Sequence, residues 1–435
     1  MERPILLAFA LALLAWFLVL GDRLRSQRPD WQWYLTGYPR TLLRIVSTWR
    51  KVALINDLSV SYGSSRRVVG DMAVKGMPLR RQAPRITFPR PVPGGLVLRA
   101  RLRPGQTPAP FLEAAEALAH AWRVYAVRIV APERGEVVIS VTARDPLEKP
   151  FISPSGDGWV LLSAVVGALE TGGTWVLDFR RIPHWLIVGA TRSGKSTLLA
   201  RLVTQLAPQP VALVGIDCKG GMELGLFGER LAALATSRSE AVTVLGGLVT
   251  ELQERMHNCR LAAARSIWEL DEEERPVPVV VLVDELAELY LSNGSKEDKA
   301  EAEQCSTYLL RLAQLGAALG VYLVVAGQRV GSDLGPGVTA LRAQLGGRIC
   351  HRVNDGATAE MTLGDIHKDA VVVAQSIEAS EQGVAVMASD SGGWVRGRSH
   401  LTTPAEARDT ASRHAESAPA LLCLTKVAAA KGGAE

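Results

Sequence analysis

At 435 residues the chain has room for two or three domains, and 48% hydrophobic with 21% charged residues is the balance of a globular protein able to bury a full core. Five cysteines (Cys218, Cys259, Cys305, Cys350, Cys423) are odd in number, widely spaced and without a C-x-x-C pair, and the histidines do not cluster. That pattern argues against a zinc site and for reduced thiols in a cytosolic compartment. The net charge of +5 hides an asymmetry: residues 22–105 carry seventeen Lys/Arg against four Asp, and the remainder is net acidic.

Residues 4–21 form an eighteen-residue stretch without a charge. At 1.5 Å per residue it reaches about 27 Å, enough for a bilayer core. No small-x-small cleavage site follows, and Arg23, Arg25 and Arg28 flank its C-terminal side, so an uncleaved single-pass anchor at 1–21 with that side in the cytoplasm is expected over a signal peptide. The basic region 22–90 comes next. Its charge suits anionic lipid headgroups, nucleic acid or a merely solvated face. Within it, 41–50 has a helical apolar face interrupted by arginines, compatible with an interfacial helix or with packing on the domain that follows.

A small α+β domain is expected over 91–150, with a strand at 95–102, a helix at 111–122 and a hairpin of 125–130 with 137–141. A connector over 151–182 holds short strands at 159–162 and 175–179. From 183 to 400, expected strands at 211–216, 279–283, 321–326, near 347–353 and near 383–387 alternate with helical segments near 240–265 and 302–319. This alternation predicts an α/β domain with a mainly parallel sheet covered on both faces. The tail, 401–435, reads as a helix and a loose end.

The chemistry concentrates in this α/β region. Residues 189–196 read Gly-Ala-Thr-Arg-Ser-Gly-Lys-Ser, a complete G-x-x-x-x-G-K-[ST] phosphate loop between a buried strand at 185–188 and a helix beginning at Thr197. Gly189, Ala190, Thr191, Arg192, Ser193, Gly194, Lys195, Ser196 and Thr197 form the expected nucleotide cradle: glycines let backbone N–H groups face the phosphates, and the helix dipole adds to them. Lys195 would reach the β- and γ-phosphates and Ser196 would ligate Mg²⁺. The run Val-Val-Val-Leu-Val at 279–283 ends at Asp284 and Glu285. Asp284 is the second expected Mg²⁺ ligand and Glu285 the general base for the attacking water.

Four motifs in order, 183–189 leading into the loop, Asp217-Cys218-Lys219, Val283-Asp284-Glu285 and Ala326-Gly327-Gln328-Arg329, resemble the FtsK/SpoIIIE family of DNA-pumping motors over residues 183–395. Gly331-Ser332-Asp333-Leu334-Gly335-Pro336-Gly337 and Leu341-Arg342-Ala343-Gln344 are most similar to the membrane-anchored plasmid-transfer translocases of actinobacteria. The resemblance implies a RecA-like ATPase that assembles as a hexameric ring around double-stranded DNA and moves along it by ATP hydrolysis. It implies Gln328 as γ-phosphate sensor, Asp217 and Lys219 beside the nucleotide, and Arg342, then Arg329, as arginines of the DNA-facing pore. The family's arginine before the glutamine strand has no counterpart in Gly316-Ala317-Ala318-Leu319-Gly320, leaving Arg311 or Arg348 as the trans-acting arginine. About 35 residues follow the motor, too few for the winged-helix module of many relatives, so a separate DNA-recognition protein is expected as partner. Conjugative or intercellular DNA transfer is the favoured role. Chromosome segregation and protein secretion are the alternatives.

Overall fold

The structure, a computed structural model, describes residues 33–62, 80–92, 94–147, 158–389 and 393–424. The expected anchor, 1–21, lies outside them; among the described residues no helix is long and apolar enough to cross a membrane. The chain divides into two units, 1–146 and 147–435.

In the first unit, α1 (Tyr38–Ile55) precedes a short antiparallel pair, β1 (Val60–Tyr62) and β2 (Arg80–Gln82). Strands β3 (Arg85–Ile86) and β4 (Arg90–Val92) both pair with β5 (Gly95–Arg101), which is followed by α2 (Ala109–Glu113), α3 (Ala115–Trp122) and the hairpin β6 (Ala126–Glu133) and β7 (Glu136–Thr142). β7 lies between β5 and β6, all antiparallel. The helix expected at 111–122 is broken at Ala114. Alternation turns Leu96, Leu98 and Ala100 of β5 and Val137, Ile139 and Val141 of β7 into one core. Ile45, Trp49, Val52 and Ala53 of α1 and Leu118 and Trp122 of α3 complete it. Trp49 meets Trp122 at 6.3 Å between ring centroids and donates Nε1–H to the Pro84 carbonyl at 3.0 Å. The expected boundary at residue 90 therefore runs through a single core: α1 is part of the α+β unit, because its tryptophan and aliphatic face have the sheet to bury against.

The second unit is built on one ten-stranded sheet. In chain order its elements are β8 (Ser163–Leu169), β9 (Thr174–Asp178), β10 (His184–Val188), α4 (Lys195–Leu206), β11 (Ala212–Ile216), β12 (Ala233–Ala235), α5 (Arg238–Leu261), β13 (Val279–Val283), α6 (Ala287–Tyr290), α7 (Lys296–Leu319), β14 (Val321–Gly327), α8 (Val338–Gln344), β15 (Gly347–His351), α9 (Gly356–Leu363), α10 (Lys368–Ser376), β16 (Val384–Ala388), β17 (Trp394–Ser399) and α11 (Pro404–Arg413). The sheet order is β12-β11-β13-β14-β10-β15-β16-β17-β8-β9. The first six strands are mutually parallel, and the last four join antiparallel. The expected connector thus supplies the last two strands at one end of the motor sheet, β8 and the edge strand β9. The strand anticipated at 159–162 begins instead at Ser163, because Leu162 adopts a left-handed backbone (φ +62°) and its N–H is taken by the Gln209 side chain at 2.8 Å.

The parallel strands are apolar on both faces, as strands covered twice must be. Val279, Val281 and Val283 of β13 pack with α5 and α7, through Leu248, Leu252, Leu309 and Leu312. Val280 and Leu282 face the opposite layer, where α4 and α11 contribute Leu199, Leu202, Val203 and Ala407. α11 opens with a reciprocal capping box of Thr403 and Glu406. Beyond it, Leu421 and Leu424 bury against the first of these layers.

Trp49→Ala removes a core ring of the first unit, so it should cost roughly 3–5 kcal/mol in a denaturant titration, where a surface helix would lose within about 0.5 kcal/mol. His184 accepts the Leu323 N–H at 3.1 Å inside β10, and burial lowers its pKa to about 4. Its folded pKa is depressed, so the unfolded chain alone takes up this proton between about pH 6.5 and pH 4, and the contribution is lost as pH falls through that window. Urea midpoints should drop over this range with a shallower slope in His184→Gln; an identical slope would remove His184 from the account.

Candidate nucleotide site

Every parallel strand of the sheet delivers its C-terminal residue to one edge, and the sequence motifs meet there. β14 runs between β10 and β13, pairing with both in parallel register. Gln328, following β14, is therefore placed between the phosphate loop and the acid pair. Its backbone N–H donates to Glu285 Oε1 at 3.1 Å and its side-chain Nε2 to Glu285 Oε2 at 3.3 Å. On its other side, the Thr191 hydroxyl donates to Gln328 Oε1 at 3.4 Å. The side-chain amide thus links loop to carboxylate directly.

The loop itself has little room to move. A Cβ on Gly189 would lie 2.4 Å from Ser193 Oγ and 2.7 Å from His351 Cβ. Gly194 has φ +117°, and a Cβ there would lie 2.5 Å from the backbone of Gly383, whose N–H donates to the Ser193 carbonyl at 2.9 Å. Arg192 also adopts a left-handed backbone, φ +59°. Lys195 lies against the loop, donating to the Gly189 carbonyl at 2.6 Å and the Ala190 carbonyl at 3.3 Å. Burial pushes its ammonium below the ordinary lysine range, against the pull of Glu285 and Asp284. Ser196 and Thr197 are half-buried at the start of α4.

Asp284 and Glu285 are both buried. Burial, then the charge of Asp217, raises the Asp284 carboxyl to about 6, with Lys219 opposing. Lys219 is the cation of this cluster, 3.3 Å from Glu285 Oε2 and 3.8 Å from Asp284 Oδ2. Burial disfavours its charge, but Glu285 and Asp284 outweigh that and its pKa is raised. Asp217 has a different task. Fully buried, it accepts from the N–H groups of Lys219, Glu223 and Leu224, folding the turn that presents Lys219.

An open cleft of about 370 Å³ beside the loop is lined by Ala190, Gln328, Arg329, Asn354 and Asp355. Arg352, on which the sequence was silent, donates to the Thr191 carbonyl at 3.1 Å, while its own carbonyl accepts from Ala190 N at 2.8 Å. Gly383 and Arg352 were each readable only as ends of strands; that their strands reach the loop edge is a property of sheet order.

The remaining candidates do not converge on the loop. Arg342, half-buried in α8, donates to the Val330 carbonyl at 3.2 Å and braces the segment after Gln328. Arg348 donates to the Arg342 carbonyl at 2.7 Å, and burial depresses its pKa. It is tied within its own chain, whereas Arg311 stands exposed on α7. Gly194→Ala forces a Cβ into backbone at a left-handed φ, a strain of roughly 1–3 kcal/mol; a fluorescent ATP analogue should bind it about tenfold more weakly or worse, with helical circular dichroism retained.

The sequence matches the actinomycete conjugal transfer protein N-terminal domain over residues 20–143 and the FtsK/SpoIIIE family over 159–274 and 261–332. It is 40% identical over 388 residues to the transfer protein TraSA of Streptomyces ambofaciens, covering 87% of this chain and 93% of that protein. It is 29% identical over 258 residues to the DNA translocase FtsK of Campylobacter jejuni, covering 54% of this chain but only 26% of that longer protein. The solved structure of the pCW3 conjugation coupling protein TcpA with ATPγS superposes with a TM-score of 0.56 at 22% identity, over 77% of this chain and 93% of that one, which establishes a common fold. With a conjugal transfer N-terminal domain ahead of a P-loop ATPase motor, the chain belongs to the FtsK/SpoIIIE family.

Proposed function

We propose that the protein is a membrane-anchored motor that hydrolyses ATP to move double-stranded DNA during conjugative transfer. The observation that carries this reading is the Thr191–Gln328–Glu285 connection, which places a polar sensor between a phosphate loop and a buried carboxylate. The names of the matched relatives, a transfer protein and a DNA translocase, support DNA as the transported polymer.

In this reading the loop N–H groups and Lys195 hold the triphosphate, and Lys195 exchanges its contacts with the loop carbonyls for phosphate oxygens. Glu285 accepts a proton from the water that attacks the γ-phosphate, and Gln328 fixes the orientation of that carboxylate while reporting the state of the phosphate to the segment beyond it. Among the described residues no group of three or more His, Cys, Asp or Glu side chains is placed to hold a metal. One carboxylate, Asp284, and one hydroxyl, Ser196, fit Mg²⁺, which takes its other ligands from phosphate and water. When bound, the ion neutralises charge developing on the phosphates.

The subunit acts in a homo-hexameric ring, residues 4–21 hold it in the cell membrane with the motor in the cytoplasm, and the absent family arginine is replaced in trans by a neighbour's side chain, Arg311 being the exposed candidate. Arg329 and Arg342 are the candidates for contact with the DNA backbone, with sequence choice left to a partner protein.

Linear double-stranded DNA should stimulate ATP turnover by the full chain; turnover indifferent to DNA would point to another transported polymer. Lys195→Ala should abolish turnover, and Glu285→Gln should lower it by roughly 10²- to 10⁴-fold while retaining bound ATP. Undiminished turnover in Glu285→Gln would mean that another group is the base.

A further inference from the structure

Helix α1 carries apolar residues on its core side and again on its outer side. The core side is the face already described. On the other, Leu43 is 75%, Val46 59% and Leu54 38% exposed. Their spacing, with Arg50 between them, puts them along one side of the helix. Exposed Arg40 and Lys51 lie at the margin of this strip. The helix carries four cations, Arg40, Arg44, Arg50 and Lys51, and no acid. Single exposed leucines are ordinary on a protein surface. Three on one helix face, with Arg50 among them and Arg40 and Lys51 along one margin, on an element whose other face is committed to the core, suit an occupant that is apolar and anionic at once.

A second copy of the helix supplies apolar area but sets four cations against four. A nucleic-acid backbone answers the cations and offers nothing to Leu43, Val46 and Leu54. An anionic bilayer answers both, with headgroup phosphates at the level of the arginines and acyl chains beneath. We propose that α1 docks flat on an anionic lipid surface, Leu43, Val46 and Leu54 entering the acyl boundary and Arg40, Arg50 and Lys51 meeting phosphate. The docking rests on the membrane reading above only for its tether. If residues 4–21 span the bilayer, the eleven residues between them and Trp33 reach no more than about 40 Å, which holds the helix near that surface.

Ser47 shares the outer face and is exposed, so an environment-sensitive fluorophore on Ser47→Cys reports docking, with the identically treated parent protein as blank. The labelled full chain is reconstituted into phosphatidylcholine vesicles with and without phosphatidylglycerol. The emission should shift to the blue in the anionic vesicles and remain water-like in the neutral ones. Each cation is worth about fivefold, so Arg40→Gln with Lys51→Gln should lower the docked-to-free ratio roughly 25-fold, and Leu43→Glu should abolish the shift with circular dichroism unchanged. Water-like emission in both vesicles overturns the proposal, as does a shift in neutral detergent that grows with protein concentration, the signature of a second copy. Alkaline carbonate extraction on the same samples reports the anchor separately: protein retained without a shift leaves the anchor standing and the docking refuted, and protein released from vesicles that gave the shift does the reverse.

Discussion

Two carboxylates buried side by side at the end of an apolar strand are the constraint around which the motor unit is arranged. Asp284 and Glu285 gain their position from β13, every residue of which is buried, and they lose water for the same reason. Such a pair persists only if charge and hydrogen bonds are brought to it. Lys219 brings the charge, and the turn that carries it is folded by Asp217, itself buried at the end of the neighbouring strand β11. Gln328 brings two donors from β14 on the other side. The acid pair is thus held from both flanking strands, and the strand order that does this also sets Gln328 against the phosphate loop.

That economy explains which parts of the site could be read from the chain alone. The loop at 189–196 and the acid pair after 279–283 are local: each needs only a strand, a turn and the right residues in succession, and the structure brings them to one edge. Lys219 was visible as part of a motif, but its engagement with Glu285 and Asp284 depends on β11 lying next to β13, which no local pattern encodes. Arg352 and Gly383 are further along the same scale, since they meet the loop only because β15 flanks β10 and the chain then turns back into β16. The resemblance set Arg342 in the pore and Arg348 among the trans-acting candidates; in the structure each also donates to a backbone carbonyl, of Val330 and of Arg342, and these contacts depend on where α8 and β15 fall in the fold.

Domain boundaries were harder to read than chemistry. The expected boundary at residue 90 falls in a Pro-rich stretch, but Pro84 and Pro89 offer their carbonyls to Trp49 and Tyr38, so these prolines lie against the core of the first unit. In the same way, the glycine-rich residues before the phosphate loop read as a connector and instead form the antiparallel edge of the motor sheet. Proline and glycine mark where the backbone must take a special course, and such courses occur inside folded units as readily as between them.

The contact of Gly194 with Gly383 has a mechanical consequence. At most interfaces between a loop and its support, side chains intervene, and their rotamers absorb small displacements. Here main chain rests on main chain, with the Gly383 N–H on the Ser193 carbonyl and the Ser399 N–H in turn on the Gly383 carbonyl at 3.0 Å. The start of β16 and the end of β17 are therefore joined to the loop through hydrogen-bonded peptide units. A displacement of the loop at this point is met by main-chain hydrogen bonds and not by a side-chain rotamer.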